Sequence, residues 1–194
     1  MPRHPRVVAP GGFYHVGSRG NNRQPVYWAD DDRTDFLGLL AEVARRWEWI
    51  LPTYCLMPNH FHLVVHVPQA GLSEGMQLLN GGYARRTNGR YGRTGHLFRN
   101  RFWSKPVEGD EQLLGTIRYV VQNPVRAGLC ATPEHWRWSS HRACAGLDET
   151  PAFLAVDFVH GLFGGRRAEA CLRYRRFVSE GQSSVSDAGP AAPG

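Results

Sequence analysis

Apolar and polar positions along this chain alternate with two different periods, and the change from one to the other falls at short breaks rich in Gly, Pro, Asn or Asp. Phe13 to Arg19 has the look of a strand and runs into the polar loop Gly20-Asn21-Asn22-Arg23-Gln24-Pro25. Asp30, Asp31 and Asp32 offer N-cap and first-turn carboxylates to a helix over 32–47, on which Phe36, Leu39, Leu40, Val43 and Trp47 share one face. A second strand is predicted over 49–56. Met57-Pro58-Asn59 turns it into a hairpin with the apolar run from Phe61 to Val67.

A second helix is expected over 72–88, weakened by Gly75, Gly81 and Gly82, and an irregular strand over 97–107. Asp110 is placed to cap a third helix over 111–122, with Leu113, Leu114, Ile117 and Val121 inward and Pro124 as its stop. A segment with Trp136, Trp138 and His141 is expected to wrap back on the core, and 166–178 reads as a last, basic helix. From 180 to 194 the chain is Ser, Gly, Pro and Ala without periodicity, which predicts disorder. The order of elements gives an α+β class: a ferredoxin-like βαββαβ antiparallel sheet with helices on one face, plus an added helix and a helical extension. The expected division is a domain over 1–147, an extension packed on it over 148–179, and a tail over 180–194.

Composition narrows the class. Hydrophobic residues make up 42% of 194 residues, enough for one ordinary core. No apolar run approaches the ~20 residues of a membrane span, and no leader-like segment follows the basic start, so a cytoplasmic protein is expected. Cys55, Cys130, Cys144 and Cys171 are scattered without a Cys-x-x-Cys pair, which argues against a zinc ribbon or redox dithiol. The formal net charge is +6, and Lys105 is the only lysine. Between Gly75 and Val107 there is no Asp or Glu, yet Arg85, Arg86, Arg90, Arg93, Arg99, Arg101 and Lys105 lie there among Tyr83, Tyr91, Phe98, Phe102 and Trp103. Arginine forks suit phosphate and aromatic rings suit unstacked bases, so the tract points to nucleic acid, although some of these rings belong in the core.

Two smaller constellations carry chemistry. His60 and His62 share one face of a strand, where they could hold one metal ion or simply form a wet polar face. His66 shares that face but lies about 13 Å beyond His62, too far for the same ion. His15 could support the pair if the first strand lies beside it. His96 and His141 read as surface or DNA-facing residues. On the third helix Tyr119 and Asn123 are four residues apart and share a face. An Asn carbonyl suits Mg²⁺ or Mn²⁺, and a cation there would ease ionisation of the phenol; a half-buried aromatic and a helix cap explain the same pair.

Four stretches resemble a known family in order: Tyr14-His15-Val16 with Arg19-Gly20-Asn21-Asn22-Arg23; Tyr54 through His60-Phe61-His62-Leu63; Arg118-Tyr119 through Asn123-Pro124-Val125-Arg126-Ala127-Gly128-Leu129; and Trp136-Arg137-Trp138-Ser139-Ser140. Together they resemble the REP-associated tyrosine transposases, relatives of the single-tyrosine HUH transposases of insertion sequences. The resemblance implies that His60 and His62 bind a divalent ion, that Asn123 is a third ligand, and that Tyr119 is the nucleophile. It implies that the loop with Arg19, Asn21, Asn22 and Arg23 contacts a DNA hairpin; Arg126 and the basic tract are expected as further DNA contacts. Cys130 departs from the small aliphatic residue usual there. The implied reaction is cleavage and rejoining of single-stranded, hairpin-forming DNA through a 5′-phosphotyrosine. Insertion-sequence relatives act as dimers that exchange the tyrosine helix, whereas the REP-associated members stand alone, so a monomer is expected. Two other classes share these features: a silent hairpin-binding or regulatory protein on the same fold, and a hydrolase that activates water.

Overall fold

The computed structural model describes residues 10–180, so the expected tail lies, apart from Glu180, outside the described residues. Strands β1 (Gly12–Arg19), β2 (Ile50–Met57), β3 (His60–Val67) and β4 (Trp103–Val107) form one antiparallel sheet in the order β2-β3-β1-β4. That is the ferredoxin-like arrangement, with the first and third strands central. Central strands are covered on both faces, which is why β1 and β3 are largely apolar; most of their polar residues, His15, Arg19, His60 and His62, gather at the site.

Helices α1 (Asp30–Arg46) and α2 (Leu72–Tyr91) cover the face that carries Phe61 and Leu63. Phe36 of α1 lies 4.8 Å from the Phe61 ring and 5.1 Å from that of Tyr83 on α2. Two glycines of α2 sit at close contacts: a Cβ on Gly75 would run into the indole of Trp49, and one on Gly82 would come within 3.0 Å of Leu39 on α1. The helix runs to Tyr91, past its expected end, and closes at Gly92 in left-handed backbone geometry. The added helix α3 (Gly109–Arg126) lies against the opposite face and buries Leu113, Ile117, Val120 and Val121. Of the C-terminal segment, α6 (Arg167–Glu180) covers it in turn, while α4 (His141–Cys144) packs on α5 (Val156–Phe163) and α5 on β2 and α6. Gln122 Nε2 donates to the Val178 carbonyl at 2.6 Å, and Arg118 stacks on Phe177.

Several expectations need correction. Pro124 does not stop α3, which continues to Arg126. A proline cannot donate to the carbonyl four residues back, but the Asn123 side-chain amide reaches the carbonyls of Tyr119 (2.9 Å) and Val120 (3.4 Å) and offsets that loss. Asp110 is not the cap but sits within the first turn, where its charge suits the helix dipole; Glu108 precedes the helix, and Gln112 Oε1 accepts from its N–H at 2.6 Å. Likewise Ala29 is the N-cap position of α1, and all three aspartates lie in its first turn. The expected strand over 97–107 is regular only from Trp103. The Trp136–Ser140 segment does return to the core, as an edge on β2: Leu56 N–H donates to the Trp138 carbonyl at 2.8 Å and Ser140 N–H to Tyr54 at 3.0 Å. His141, expected at the surface, is fully buried and lies 3.2 Å from Glu134.

Among the described residues no helix is long and apolar enough to cross a membrane.

Asp32 ties the two covering helices together. Its buried carboxylate accepts from the N–H groups of Trp28 and Ala29, from Tyr91 Oη (2.8 Å) and from Arg90 (2.6 Å). Burial alone would raise its pKa, but these four donors outweigh it and hold the group below the ordinary carboxylate value. Stability from Asp32 is therefore present above about pH 4 and lost as pH falls through the lower native value. Asp32→Asn should cost about 1–3 kcal/mol at pH 7 in urea denaturation, with the gap from wild type narrowing towards pH 3. An unchanged midpoint at pH 7 would contradict this role.

Candidate active site and nucleic-acid surface

Strand periodicity puts His60 and His62 on the sheet face opposite Phe61, and pairing brings three strands to them. On β1, Arg19 lies opposite His60 and Gly17 opposite His62; on β2, Met57 and Cys55 hold those positions. The His60 and His62 rings are 5.0 Å apart, and the His15 ring is 5.2 Å from that of His62. His15 Nε2 and His62 Nδ1 are within hydrogen-bond distance at 3.0 Å, sharing one proton. With that proton on His62 Nδ1, the Nε2 lone pair of His62 is free for a ligand. His60 Nδ1 lies 2.7 Å from Asn59 Oδ1, which turns its Nε2 into the free acceptor in the same way.

All three imidazoles are held neutral. Burial, and then the Lys105 charge, push His15 down to about 4; burial, and then Arg19, do the same to His60. His62 is pushed well below the ordinary imidazole value by burial first, then by His15, His60 and Arg19. Neutral imidazoles with oriented lone pairs are the form that binds metal. Among the described residues no three His, Cys, Asp or Glu side chains converge to hold an ion. Any third protein donor must therefore be of another kind, and an amide oxygen qualifies. Asn123 spends its amide nitrogen on helix carbonyls, which leaves Oδ1 as its donor atom. Imidazole nitrogens and an amide oxygen, the donor types of His60, His62 and Asn123, suit a divalent cation chemically.

Helix α3 carries Tyr119 onto the same face. Its ring lies 5.9 Å from both His62 and His15, edge-on to each, and the Arg126 guanidinium sits 5.2 Å from its centroid. Lys105 is opposite His15 on β4. Arg19, Lys105 and Arg126 therefore ring the histidine–tyrosine site as cations. Two contributors escaped the sequence reading in this role. Trp103 packs 4.7 Å from His15 and 5.6 Å from His62. Gly17 makes room for it: a Cβ there would meet the Phe61 carbonyl and come within 2.7 Å of the Trp103 ring. A glycine inside an otherwise apolar strand was the available signal.

The predicted DNA-contacting residues do not form one surface. Asn21, Asn22 and Arg23 are exposed in a short 3₁₀ turn beside the site, with Asn22 and Arg23 both in left-handed backbone geometry. Arg85, Arg99 and Arg101 line a cleft of about 1120 Å³ between α2 and residues 95–102, on the sheet face away from the histidines. Arg86 and Arg90 instead pair at 2.6 Å with Asp35 and Asp32 of α1, and Arg93 stacks on Trp28. Of the interleaved rings, Tyr83, Phe98 and Phe102 are buried.

With this geometry in view, comparison with known proteins is decisive on family: residues 11–123 match the model of the IS200-like transposases. The chain belongs to that family. A Haemophilus influenzae protein assigned as a REP-associated tyrosine transposase is 22% identical over 154 residues, covering 73% of this chain and 87% of the relative. A solved REP-associated tyrosine transposase bound to a REP hairpin superposes with a TM-score of 0.64 at 16% identity, covering 80% of this chain and 92% of that one. At that identity the superposition speaks for the fold, and this IS200-like transposase shares it.

The neutral histidines make an acid signature. Their native values lie below that of an unfolded imidazole, so the unfolded chain takes up protons that the native one refuses. Stability should fall as pH drops from about 6.5 towards 4, by up to about 1.4 kcal/mol per pH unit for each histidine. Imidazole C–H resonances of His15 and His60 should keep their neutral positions down to about pH 5. A midpoint near 6.5 for either would contradict the burial argument.

Proposed function

We propose that this chain is a metal-dependent single-strand DNA endonuclease and strand transferase acting on hairpin-forming DNA such as repetitive extragenic palindromes, through a 5′-phosphotyrosine intermediate. The observation that carries the proposal is the approach of Tyr119 to His62 and His15 within one chain, 5.9 Å between rings. A divalent ion, Mg²⁺ or Mn²⁺, held by His60, His62 and the Asn123 oxygen would supply Lewis-acid polarisation of the scissile phosphate.

The protein's own groups do the rest. Tyr119 Oη attacks phosphorus in line; the P–O bond to tyrosine forms as the bond to the 3′-oxygen breaks. The phenolic proton passes to solvent, and the departing 3′-oxygen takes one up as a hydroxyl. Because the ester bond is exchanged rather than hydrolysed, the same or another 3′-hydroxyl can reverse the step and join strands. Arg19, Lys105 and Arg126 offset the negative charge that gathers at the phosphate. The solved relative holds a REP hairpin, which supports a hairpin as the ligand here; the Asn21–Arg23 turn would meet it, and the Arg85, Arg99 and Arg101 cleft suits an adjoining unpaired strand. Since one chain carries both the tyrosine and the histidine pair, a monomer is a sufficient catalytic unit.

Incubation of Tyr119→Phe with an end-labelled hairpin and Mn²⁺ should give no protein–DNA adduct while hairpin affinity stays within about threefold of wild type, because phosphate contacts dominate binding. A normal adduct yield would remove Tyr119 from the chemistry, and an adduct-free wild type would favour a silent binder.

Arg99→Ala with Arg101→Ala should weaken hairpin binding and flatten its salt dependence by roughly one unit of slope for each phosphate left without its arginine. Arg90→Ala should lower stability and leave that slope alone; the reverse pattern would contradict the division of the basic tract.

A further inference from the structure

We propose that Asn59 is a positioning residue that couples DNA on the Asn21–Arg23 turn to the cation affinity of His60. The inference rests on the functional reading above and extends it to regulation of the site. Asn59 sits in the turn between β2 and β3, immediately before His60. Its Nδ2 donates to the Arg23 carbonyl at 2.9 Å, and its Oδ1 lies 2.7 Å from His60 Nδ1.

These two contacts fix a tautomer. A backbone carbonyl can only accept, so the end of the amide that meets Arg23 must be the NH₂. The oxygen end then necessarily faces His60, and His60 Nδ1 must carry the proton. That leaves the Nε2 lone pair of His60 for a cation. Were the amide turned over, NH₂ would face His60, the imidazole proton would move to Nε2, and the ligand atom would be blocked. The carboxamide is thus an element with two discrete arrangements, and the position of the Arg23 carbonyl selects between them.

The carbonyl belongs to a segment open to ligand. Asn21, Asn22 and Arg23 are exposed, and both Asn22 (φ 51°) and Arg23 (φ 58°) occupy the left-handed region disfavoured for side-chain-bearing residues. The turn is strapped to the β2–β3 hairpin at its two ends: Gly20 N–H donates to the Asn59 carbonyl at 2.8 Å and Val26 N–H to Pro58 at 3.0 Å. Between those straps, the Arg23 carbonyl is held by the Asn59 side chain. Phosphate contacts that fix the turn also fix this carbonyl and, through the amide, the ligand-ready form of His60. By linkage, the cation must tighten DNA binding by the same factor.

The experiment is Mn²⁺ titration of the full chain by calorimetry, with and without a hairpin oligonucleotide that ends at the foot of its stem, so that no scissile bond is present. In wild type, the hairpin should tighten Mn²⁺ binding at least fivefold. Asn59→Asp keeps an acceptor for His60 Nδ1 but cannot donate to Arg23. It should retain Mn²⁺ binding without DNA while the hairpin effect shrinks below twofold. Asn59→Ala should weaken Mn²⁺ binding by about 10–100-fold. Circular dichroism of each variant confirms folding, and Asn59→Asp alone is sufficient if Asn59→Ala does not fold. Full coupling in Asn59→Asp, or no coupling in a wild type that binds both Mn²⁺ and hairpin, overturns the proposal and leaves the functional reading standing. A wild type that binds no Mn²⁺ overturns both.

Discussion

The antiparallel pairing of β1 with β3 is the constraint on which the site depends. Gly17 opposite His62 and Arg19 opposite His60 put a cation and an unobstructed backbone beside the two imidazoles. Because side chains alternate across a strand, a slip of one residue would send His60 and His62 into the core under α1 and α2 and turn Phe61 out. The register is secured from both faces. Phe61, Val16 and Leu63 are completely buried on one, while the His15–His62 contact and the Trp103 ring lock the other. The same pairing that folds the sheet therefore assembles the imidazoles, and α3 needs only to dock on that face to bring Tyr119 to them.

Charge is divided by role, not spread evenly. Part of the basic tract holds the fold, through the Arg86 and Arg90 pairs with α1, and part lines a cleft on the far face. A third group, with Arg19 from β1, Lys105 from β4 and Arg126 from α3, surrounds the site. These cations have a second effect, because Arg19 and Lys105 reinforce burial in keeping the histidines neutral. Positive surroundings thus serve both an anionic substrate and the unprotonated state of the residues that would bind a cation.

Much of this was legible in the chain because it depends on local patterns. The β2–β3 hairpin followed from Pro58-Asn59 between apolar runs, and the His60–His62 face from period two alone. The joint placement of Tyr119 and Asn123 followed from helical spacing. What escaped depends on particular side-chain contacts, most of them with partners distant in sequence. Pro124 looked like a stop, since only the Asn123 side chain reaching back to Val120 shows how the helix survives it. His141 looked exposed because nothing in its neighbourhood announces that α6 will cover it and Glu134 will meet it. Arg86 and Arg90 looked available for phosphate because their aspartates lie far upstream. Trp103 was counted among the tract's aromatics, and only the β1–β4 register moves it to the histidines.

The central claim is that His60, His62 and Tyr119 act around one cation on one face of the sheet. Anomalous diffraction from crystals grown with Mn²⁺ tests it most directly. The account predicts a single strong peak bound by Nε2 of both His60 and His62, with the Tyr119 hydroxyl on the same side of the sheet facing it. A peak bound elsewhere, or a Tyr119 hydroxyl directed away from an occupied histidine pair, would contradict it.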